Sequence, residues 1–221
     1  MNRLEQTKDL SPTLYSEAFQ QTYHSIHGAI SESNHVFIQN GLCELLKTKR
    51  EISILEMGYG TGLNAALTWQ YAIKNQLQIH YNSIEKFPID AELYLQYITQ
   101  DTELNLMLSQ LNQSDWNIMH SFSSFQFIKS LMDIDSLNLE MKFDLIYYDA
   151  FSPNAQPELW TETIFKKMYD SLTPNGLLVT YCAKGQVKRN LKAAGFHVES
   201  PPGPVGKREM TRARKLISNN E

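Results

Sequence analysis

The stretch ILEMGYGTGLNAA, residues 54–66, holds an acid and three alternate glycines ahead of a helix-like run, a pattern typical of small-molecule binding turns. A dinucleotide-binding turn has the spacing G-x-G-x-x-G and places a pyrophosphate at the N-terminus of the following helix. Here the glycines are Gly58, Gly60 and Gly62, so the third glycine of that spacing is absent. The carboxylate of Glu56 would also repel a pyrophosphate in a partly desolvated cleft. The turn therefore predicts a ligand other than a dinucleotide.

A ligand that carries an ammonium and a sulfonium suits this turn better, and S-adenosylmethionine is such a ligand. Glu56 could hold the amino group of S-adenosylmethionine, directly or through water. The carboxylate of S-adenosylmethionine would then lie at the helix N-terminus. Glu85 ends the next apolar run, where an ionised carboxylate can accept both ribose hydroxyls. The alternative interpretations are structural: a tight strand-to-helix turn at the glycines and a solvated loop acid at Glu85.

From residue 52 onward, short apolar runs alternate with helical patterns. The apolar runs predict strands at 52–57, 79–84, 116–119, 143–148 and 177–181, with a closing hairpin at 196–198 and 209–213. The helical patterns lie at 63–73, 88–111, 124–132, after Pro157, and at 185–194. This alternation predicts an α/β fold with a parallel sheet covered by helices on both faces. Ligands of such sheets bind beyond the carboxyl ends of the strands, where the glycine turn, Glu85 and Asp149 converge.

The bulk composition favours one globular domain in the cytoplasm. The 221 residues are 42% hydrophobic, and no run of about 18 apolar residues could span a membrane. We expect residues 1–50 to form a helical or irregular extension packed on a core of residues 51–221. No secretion signal is recognisable, and the two cysteines are too few for a metal or disulfide framework. His24, His27 and His35 lack partners at zinc-like spacing, so no metal is predicted.

Charge is distributed unevenly along the chain, whose net charge is −4 at pH 7. Between residues 184 and 215, nine lysines and arginines face only two glutamates. Such a segment can bind phosphates of a nucleic acid, or it can simply be a solvated tail.

Several motifs resemble known families. LEMGYGTGLNAAL resembles motif I of class I S-adenosylmethionine-dependent methyltransferases, and SIEKFP resembles the acidic strand-two motif that follows it. FDLIYYDAFSPNAQPELWTETIF, GFHVESPPGPVGKREM and GAISESNHVFIQNGL resemble the methyltransferase domain of the MnmC-type bifunctional tRNA-modifying enzymes. The resemblance covers roughly residues 11–214. It implies a Rossmann-like class I methyltransferase with a mostly parallel seven-stranded sheet and helices on both faces.

The resemblance implies transfer of a methyl group from S-adenosylmethionine to the amine of 5-aminomethyl(-2-thio)uridine at the tRNA wobble position. It makes Asp149, after the fourth strand, the catalytic residue that orients the amine; a turn-capping role is the structural alternative. The implied donor site consists of Glu56, Gly58, Tyr59, Gly60, Gly62, Asn64, Glu85 and Lys86. The implied acceptor site consists of Tyr15, Glu32 and Phe151, with Tyr23 beside them, and of Lys207 and Arg208, which would grip the anticodon backbone.

The sequence departs from the family pattern at two points. The MnmC-type enzymes carry a flavin-dependent oxidoreductase half that this sequence does not contain, so we expect a stand-alone methyltransferase, with a monomer slightly favoured. After the third predicted strand, the stretch MHSFSSF has no acid for the adenine amino group, so Ser121, Ser123 or backbone would have to replace it.

Other functions remain open from the sequence. An aminopropyl transferase shares this fold, but that family places an Asp within the glycine turn, and GYGTG has none. A small-molecule amine methyltransferase and an RNA-binding module on a decayed methyltransferase scaffold are the further alternatives.

Overall fold

The structure is a computed structural model that describes residues 2–137 and 140–217. Within these residues the strands are β1 (Asn2–Gln6), β2 (Pro12–Ser16), β3 (Gln21–Thr22), β4 (Glu51–Met57), β5 (Gln78–Glu85), β6 (His120–Phe122), β7 (Phe125–Leu131), β8 (Phe143–Tyr148), β9 (Leu172–Thr180), β10 (His197–Glu199) and β11 (Thr211–Arg214). The α-helices are α1 (Ala29–Ser33), α2 (Cys43–Leu45), α3 (Leu63–Asn75), α4 (Ala91–Gln96), α5 (Thr102–Gln113), α6 (Glu162–Ser171) and α7 (Gly185–Ala193). A π-helix (Asn34–Leu42) joins α1 to α2, and short 3₁₀ turns lie at Ile134–Ser136 and Pro157–Trp160.

A mixed sheet of eight strands forms the centre, in the order β10-β11-β9-β8-β4-β5-β7-β6. The five middle strands, from β9 to β7, are parallel, whereas β11, β10 and β6 pair antiparallel at the edges. The predicted α/β class with a mostly parallel sheet is confirmed, and the short strand β6 extends it beyond the seven expected strands.

Both faces of the central strand β8 are buried, which explains why its sequence is a continuous apolar run. In β8, Leu145 and Tyr147 join the core beneath α3, α5 and the π-helix, whereas Ile146 and Tyr148 join the core beneath α6 and α7. All four side chains are fully buried. The sheet is therefore a rigid support for the loops at its carboxyl edge.

The strand order reverses at β4, which lies between β5 and β8. The chain leaves β4 at Gly58, whose N–H donates to Ile84 O at 3.0 Å, and it leaves β8 at Asp149, whose N–H donates to Met57 O at 3.0 Å. These two bonds hold the ends of three strands together, so the glycine turn and Asp149 meet at the topological switch point, as predicted.

The predictions for residues 116–132 were wrong in part. Residues 116–119 form no strand, and the predicted helix at 124–132 is instead the strand β7, which pairs parallel with β5. The burial alternates along it, because Phe125, Phe127 and Lys129 are buried on one face. The Lys129 ammonium is satisfied by the carbonyls of Leu111 and Asn112 at 2.9 and 2.8 Å. The helical pattern at 88–111 is also broken, into α4 and α5.

The extension expected to be helical or irregular contains a small antiparallel sheet of β1, β2 and β3 before its helices begin at Ala29. Gln21 ties this sheet to the core: its amide donates to Ser152 Oγ at 2.6 Å and accepts the Ser152 N–H at 3.3 Å. The end of the predicted core, residues 218–221, lies outside the described residues.

Among the residues that the structure describes, no helix is long and apolar enough to cross a membrane. The same residues contain no group of three or more histidine, cysteine or acidic side chains arranged to hold a metal ion.

Candidate functional site

A cavity of about 850 Å³ opens at the carboxyl ends of β4, β5 and β8. The predicted site residues that line it are Tyr15, Tyr23, Glu32, Gly58, Tyr59, Gly60, Asn64, Glu85, Lys86, Asp149, Phe151 and Lys207. They come from five separate parts of the chain, so the fold brings together most of the residues that the sequence singled out.

The turn between β4 and α3 requires its glycines. Gly58 and Gly60 have φ values of +91° and +52°, a region in which side chains are strained. A Cβ on Gly58 would lie 2.9 Å from the carbonyl oxygen of Asp149, and one on Gly60 would lie 3.2 Å from the Tyr23 ring. The bare backbone of this turn therefore forms one wall of the cavity.

Glu85 lies at the end of β5 on the same side of the cavity. Its Oε2 accepts the N–H of Gly60 at 3.1 Å, and its Oε1 accepts the N–H of Phe87 at 2.8 Å. Burial raises the pKa of Glu85, although these backbone N–H groups act in the opposite direction. Each oxygen keeps a second lone pair, so the carboxyl can still accept hydrogen bonds from a ligand.

Asp149 follows β8 directly, and its backbone lies against Gly58 of the glycine turn. Its Oδ2 accepts the side-chain N–H of Asn64 at 2.8 Å. Burial raises the pKa of Asp149 to about 7; the nearby Glu32 acts in the same direction, while Asn64 and Lys207 oppose the rise. An aspartate with this pKa can bind an amine and can exchange a proton near neutral pH.

Glu32 and Lys207 form an ion pair beside Asp149, with 2.5 Å between Oε1 and Nζ. The other oxygen of Glu32 accepts the N–H of Ser25 at 2.7 Å. The Lys207 ammonium also lies 4.2 Å from the centre of the Tyr181 ring. This pair adds one negative and one positive charge to the part of the cavity next to Asp149.

Aromatic rings surround the cavity mouth. Phe19, from the loop between β2 and β3, stacks on Phe151 with 4.5 Å between ring centres. Tyr23 meets Phe151 edge-on at 4.9 Å, and Phe87 lies 5.9 Å from Phe19. Such rings can stack on the flat face of a nucleobase. Phe19 and Phe87 were not predicted, because no local pattern distinguishes them from core aromatics.

Three of the predicted site residues do not line the cavity. Glu56 is fully buried behind the glycine turn, and its Oε2 accepts the Ser83 hydroxyl at 2.7 Å. Gly62 shapes the turn from behind, since a Cβ there would lie 2.6 Å from the Tyr59 hydroxyl. Arg208 is exposed beside Lys207 and outside the cavity.

The two serines expected to contact the adenine amino group lie outside the cavity. Ser121 and Ser123 are not cavity residues, whereas Asp133 and Asp135, which follow β7, line it. Asp133 pairs with Lys86 at 2.6 Å, and this lysine holds the pKa of Asp133 below its usual value. Two acids thus follow β7 at the cavity, and the alternation of apolar and polar residues in FQFIK is the sequence signal that could have located this strand.

Comparison with known proteins agrees with this geometry. A family model described as S-adenosyl-L-methionine-dependent methyltransferase matches residues 95–216. The chain is 34% identical over 218 residues to the tRNA 5-methylaminomethyl-2-thiouridine biosynthesis bifunctional protein MnmC of Cupriavidus metallidurans, covering 91% of this chain and 32% of that protein. The chain thus spans about a third of the length of the curated relatives it matches.

Solved structures show the same relationship. MnmC2 from Aquifex aeolicus superimposes with a TM-score of 0.84 at 25% identity, covering all of this chain and 73% of that one. Spermidine synthase from Thermotoga maritima gives a TM-score of 0.53 at 10% identity over 96% of this chain and 71% of its own, a likeness of fold alone. Because the family model covers more than half of the chain, this protein belongs to the S-adenosyl-L-methionine-dependent methyltransferases.

Proposed function

We propose that this chain methylates the primary amine of 5-aminomethyl(-2-thio)uridine at the wobble position of tRNA. The observation that carries the proposal is the buried Asp149, held by Asn64 and faced by Glu32 and Lys207 in the same cavity as the glycine turn. The names of the MnmC relatives, which concern tRNA 5-methylaminomethyl-2-thiouridine, support this acceptor.

The donor side of the cavity suits S-adenosylmethionine, which supplies an electrophilic methyl group when bound. A Cβ at Gly58 would lie 2.9 Å from the Asp149 carbonyl oxygen, so bare backbone lines the donor side there. Glu85 keeps acceptor capacity for ribose hydroxyls, and Asp133 lies where it can accept from an adenine amino group. These residues fit a ligand with a sugar, a base and a charged tail.

On the acceptor side, the chain must bind an amine and favour its neutral form. A free alkylamine has a pKa of ~10.4, so only about one molecule in 10³ is neutral at pH 7. Asp149 accepts a hydrogen bond from the amine and orients its lone pair. Because burial raises the pKa of Asp149 to about 7, its carboxylate is also a better proton acceptor than an exposed aspartate. The aromatic rings at the mouth provide a stacking surface for the uracil base.

The test is a methyl-transfer assay on tRNA from cells that lack the wobble methyltransferase, with isotopically labelled S-adenosylmethionine, nucleoside digestion and mass spectrometry. We expect label in 5-methylaminomethyl-type uridine. Asp149→Ala should lose about 100-fold or more in turnover while it keeps its affinity for S-adenosylhomocysteine, since it removes the amine-orienting group only.

Glu85→Ala is the matched control, because it removes a carboxylate from the donor side of the same cavity. It should chiefly weaken S-adenosylhomocysteine binding. If donor binding is confirmed but no label is transferred to the tRNA, the proposed acceptor is wrong. If Asp149→Ala keeps near-normal turnover, the proposed role of Asp149 is wrong.

A further inference from the structure

Glu56 is the acid of the glycine-turn motif, but its side chain lies inside the protein. It is 0% exposed, and its Oε2 accepts the Ser83 hydroxyl at 2.7 Å. Its other oxygen, Oε1, is buried and has no hydrogen-bond partner in the described part of the chain. A ligand in the cavity cannot reach this carboxyl, so Glu56 must act through its neighbours.

Asn64, in the first turn of α3, connects Glu56 to Asp149. Its Nδ2 donates to Asp149 Oδ2 at 2.8 Å, and its side chain also contacts the Glu56 carboxyl. The amide oxygen of Asn64 is buried and, within the described residues, has no partner either. Two unsatisfied acceptors, Glu56 Oε1 and Asn64 Oδ1, therefore occupy one small buried region. The Tyr81 hydroxyl lies beside Glu56 and also has no partner within the described residues.

The single O–H of Tyr81 can satisfy only one of these two acceptors, so a further proton, carried by Glu56, is needed to satisfy both. An ionised Glu56 would place two buried carboxylates on the same amide, a costly arrangement for like charges. A protonated Glu56 can donate its O–H to Asn64 Oδ1, which leaves Asn64 Nδ2 directed at Asp149. Of the two carboxyls, Asp149 is the one that borders the cavity and faces the Lys207 ammonium, so the proton belongs on Glu56.

We propose that Glu56 is a neutral carboxylic acid in the working enzyme and that, through Asn64, it positions Asp149 rather than binding the donor's amino group. This inference rests on the proposed function, because Asp149 is the group that orients the acceptor amine there. Glu56 is thus a positioning residue.

The electrostatic surroundings of Glu56 agree with this assignment. The titratable groups that face it are Asp149, Tyr59, Tyr81 and Tyr147, all of which are acids. Burial raises the pKa of Glu56 to about 8, and Asp149 adds to the rise. The side chains of Ser83, Asn64 and Tyr81 oppose it.

The decisive variant is Glu56→Gln, which keeps the shape of the side chain and replaces the acid by a neutral donor. Titration calorimetry with S-adenosylhomocysteine should give a Kd within about threefold of wild type, because no charge in contact with the donor is lost. Turnover should fall about tenfold or more in Asn64→Leu, which removes the amide that holds Asp149, and should fall less in Glu56→Gln, whose amide can still donate to Asn64 Oδ1. A tenfold or greater weakening of S-adenosylhomocysteine binding in Glu56→Gln would overturn the proposal.

Thermal unfolding of the ligand-free protein provides a readout that needs no tRNA. A carboxyl whose pKa is raised by folding stabilises the fold at low pH, and this stabilisation is lost as the pH rises through the folded-state pKa. The Tm of Glu56→Gln relative to wild type should therefore increase between pH 5 and pH 9. A constant or decreasing difference would show that Glu56 is already ionised. Neither S-adenosylhomocysteine binding nor thermal unfolding depends on the tRNA acceptor. Both measurements therefore test the role of Glu56 even if the wild-type enzyme fails to methylate tRNA.

Discussion

At the scale of single residues, the chemistry depends on three charged groups at one end of the cavity. Glu32 raises the pKa of Asp149, and Lys207 lowers it, although burial is the largest influence. Because Glu32 and Lys207 are paired, their effects on Asp149 largely offset one another. Removing either partner therefore exposes Asp149 to the other.

This balance predicts opposite changes for two variants. Lys207→Met should move the acidic limb of the pH profile of kcat/KM to higher pH by about half a unit to one unit, because Asp149 then requires a higher pH to ionise. Glu32→Gln should move the same limb to lower pH by a similar amount. The measurement is the pH dependence of methyl transfer with saturating donor.

Lys166→Met is the control for these variants, since Lys166 is exposed on α6 and pairs with Asp170. Its profile should match that of wild type. Shifts of the same sign in both cavity variants would contradict the assigned electrostatic roles.

At the scale of elements, the turn from β4 to α3 does two things at once. It forms the donor wall of the cavity, and at Gly58 it touches the backbone of Asp149. The positive φ of Gly58 and this close approach leave no room for a side chain. The proposed donor site and the proposed catalytic residue, Asp149, are thus in direct contact through one glycine.

Gly58→Ala should therefore impair both sites. The backbone strain and the contact with the Asp149 carbonyl cost about 1–3 kcal/mol, so the affinity for S-adenosylhomocysteine should fall about 10-fold to 100-fold. Titration calorimetry measures this loss, and circular dichroism verifies that the variant is folded.

Gly185→Ala offers a matched control at the start of α7. A Cβ on Gly185 would only contact the flexible end of Arg189 at 3.4 Å, and we expect unchanged binding. Equal affinities of Gly58→Ala and wild type would refute the steric argument.

At the scale of the whole molecule, the basic C-terminal segment is less available to RNA than its composition suggests. Lys188 pairs with Glu209, Arg212 pairs with Glu199 and Glu44, and Lys207 is used inside the cavity. The exposed cations of this segment are Lys184, Arg189, Lys192 and Arg208. Two of these lie by the cavity: Lys184 donates to Asn154 in the loop after Asp149, and Arg208 follows Lys207 in sequence.

We therefore expect the combined variant Lys184→Ala and Arg208→Ala to raise the KM for tRNA without changing the Kd of S-adenosylhomocysteine. Each lost phosphate contact should reduce the slope of log affinity against log salt by about 1. Filter binding of tRNA at several salt concentrations measures the slope, with Lys166→Ala as the control of equal charge type. An unchanged slope would place the RNA elsewhere on the surface.

The sequence by itself determined the main elements of the fold and the donor side of the site. β8 is buried on both faces and β4 along most of its length, so their apolar runs are visible locally, whereas β5 shows an alternating pattern. A glycine or an acid stands at the carboxyl end of each strand. Because the carboxyl ends of parallel strands share one edge, the meeting of Gly58, Glu85 and Asp149 follows from the order of elements alone. The closing hairpin of β10 and β11 was predictable for the same local reasons.

Only the tertiary structure decided the roles that depend on distant partners. β7 is a strand because it pairs with β5, although its apolar residues also fit a helix, and this pairing brings Asp133 to the cavity. Lys207 faces Glu32 across 175 positions of sequence, and burial, which composition does not reveal, separates Glu56 from the ligand. Long-range pairing and desolvation act through neighbours in space, so a reading of local patterns identified these residues but not what each of them contacts.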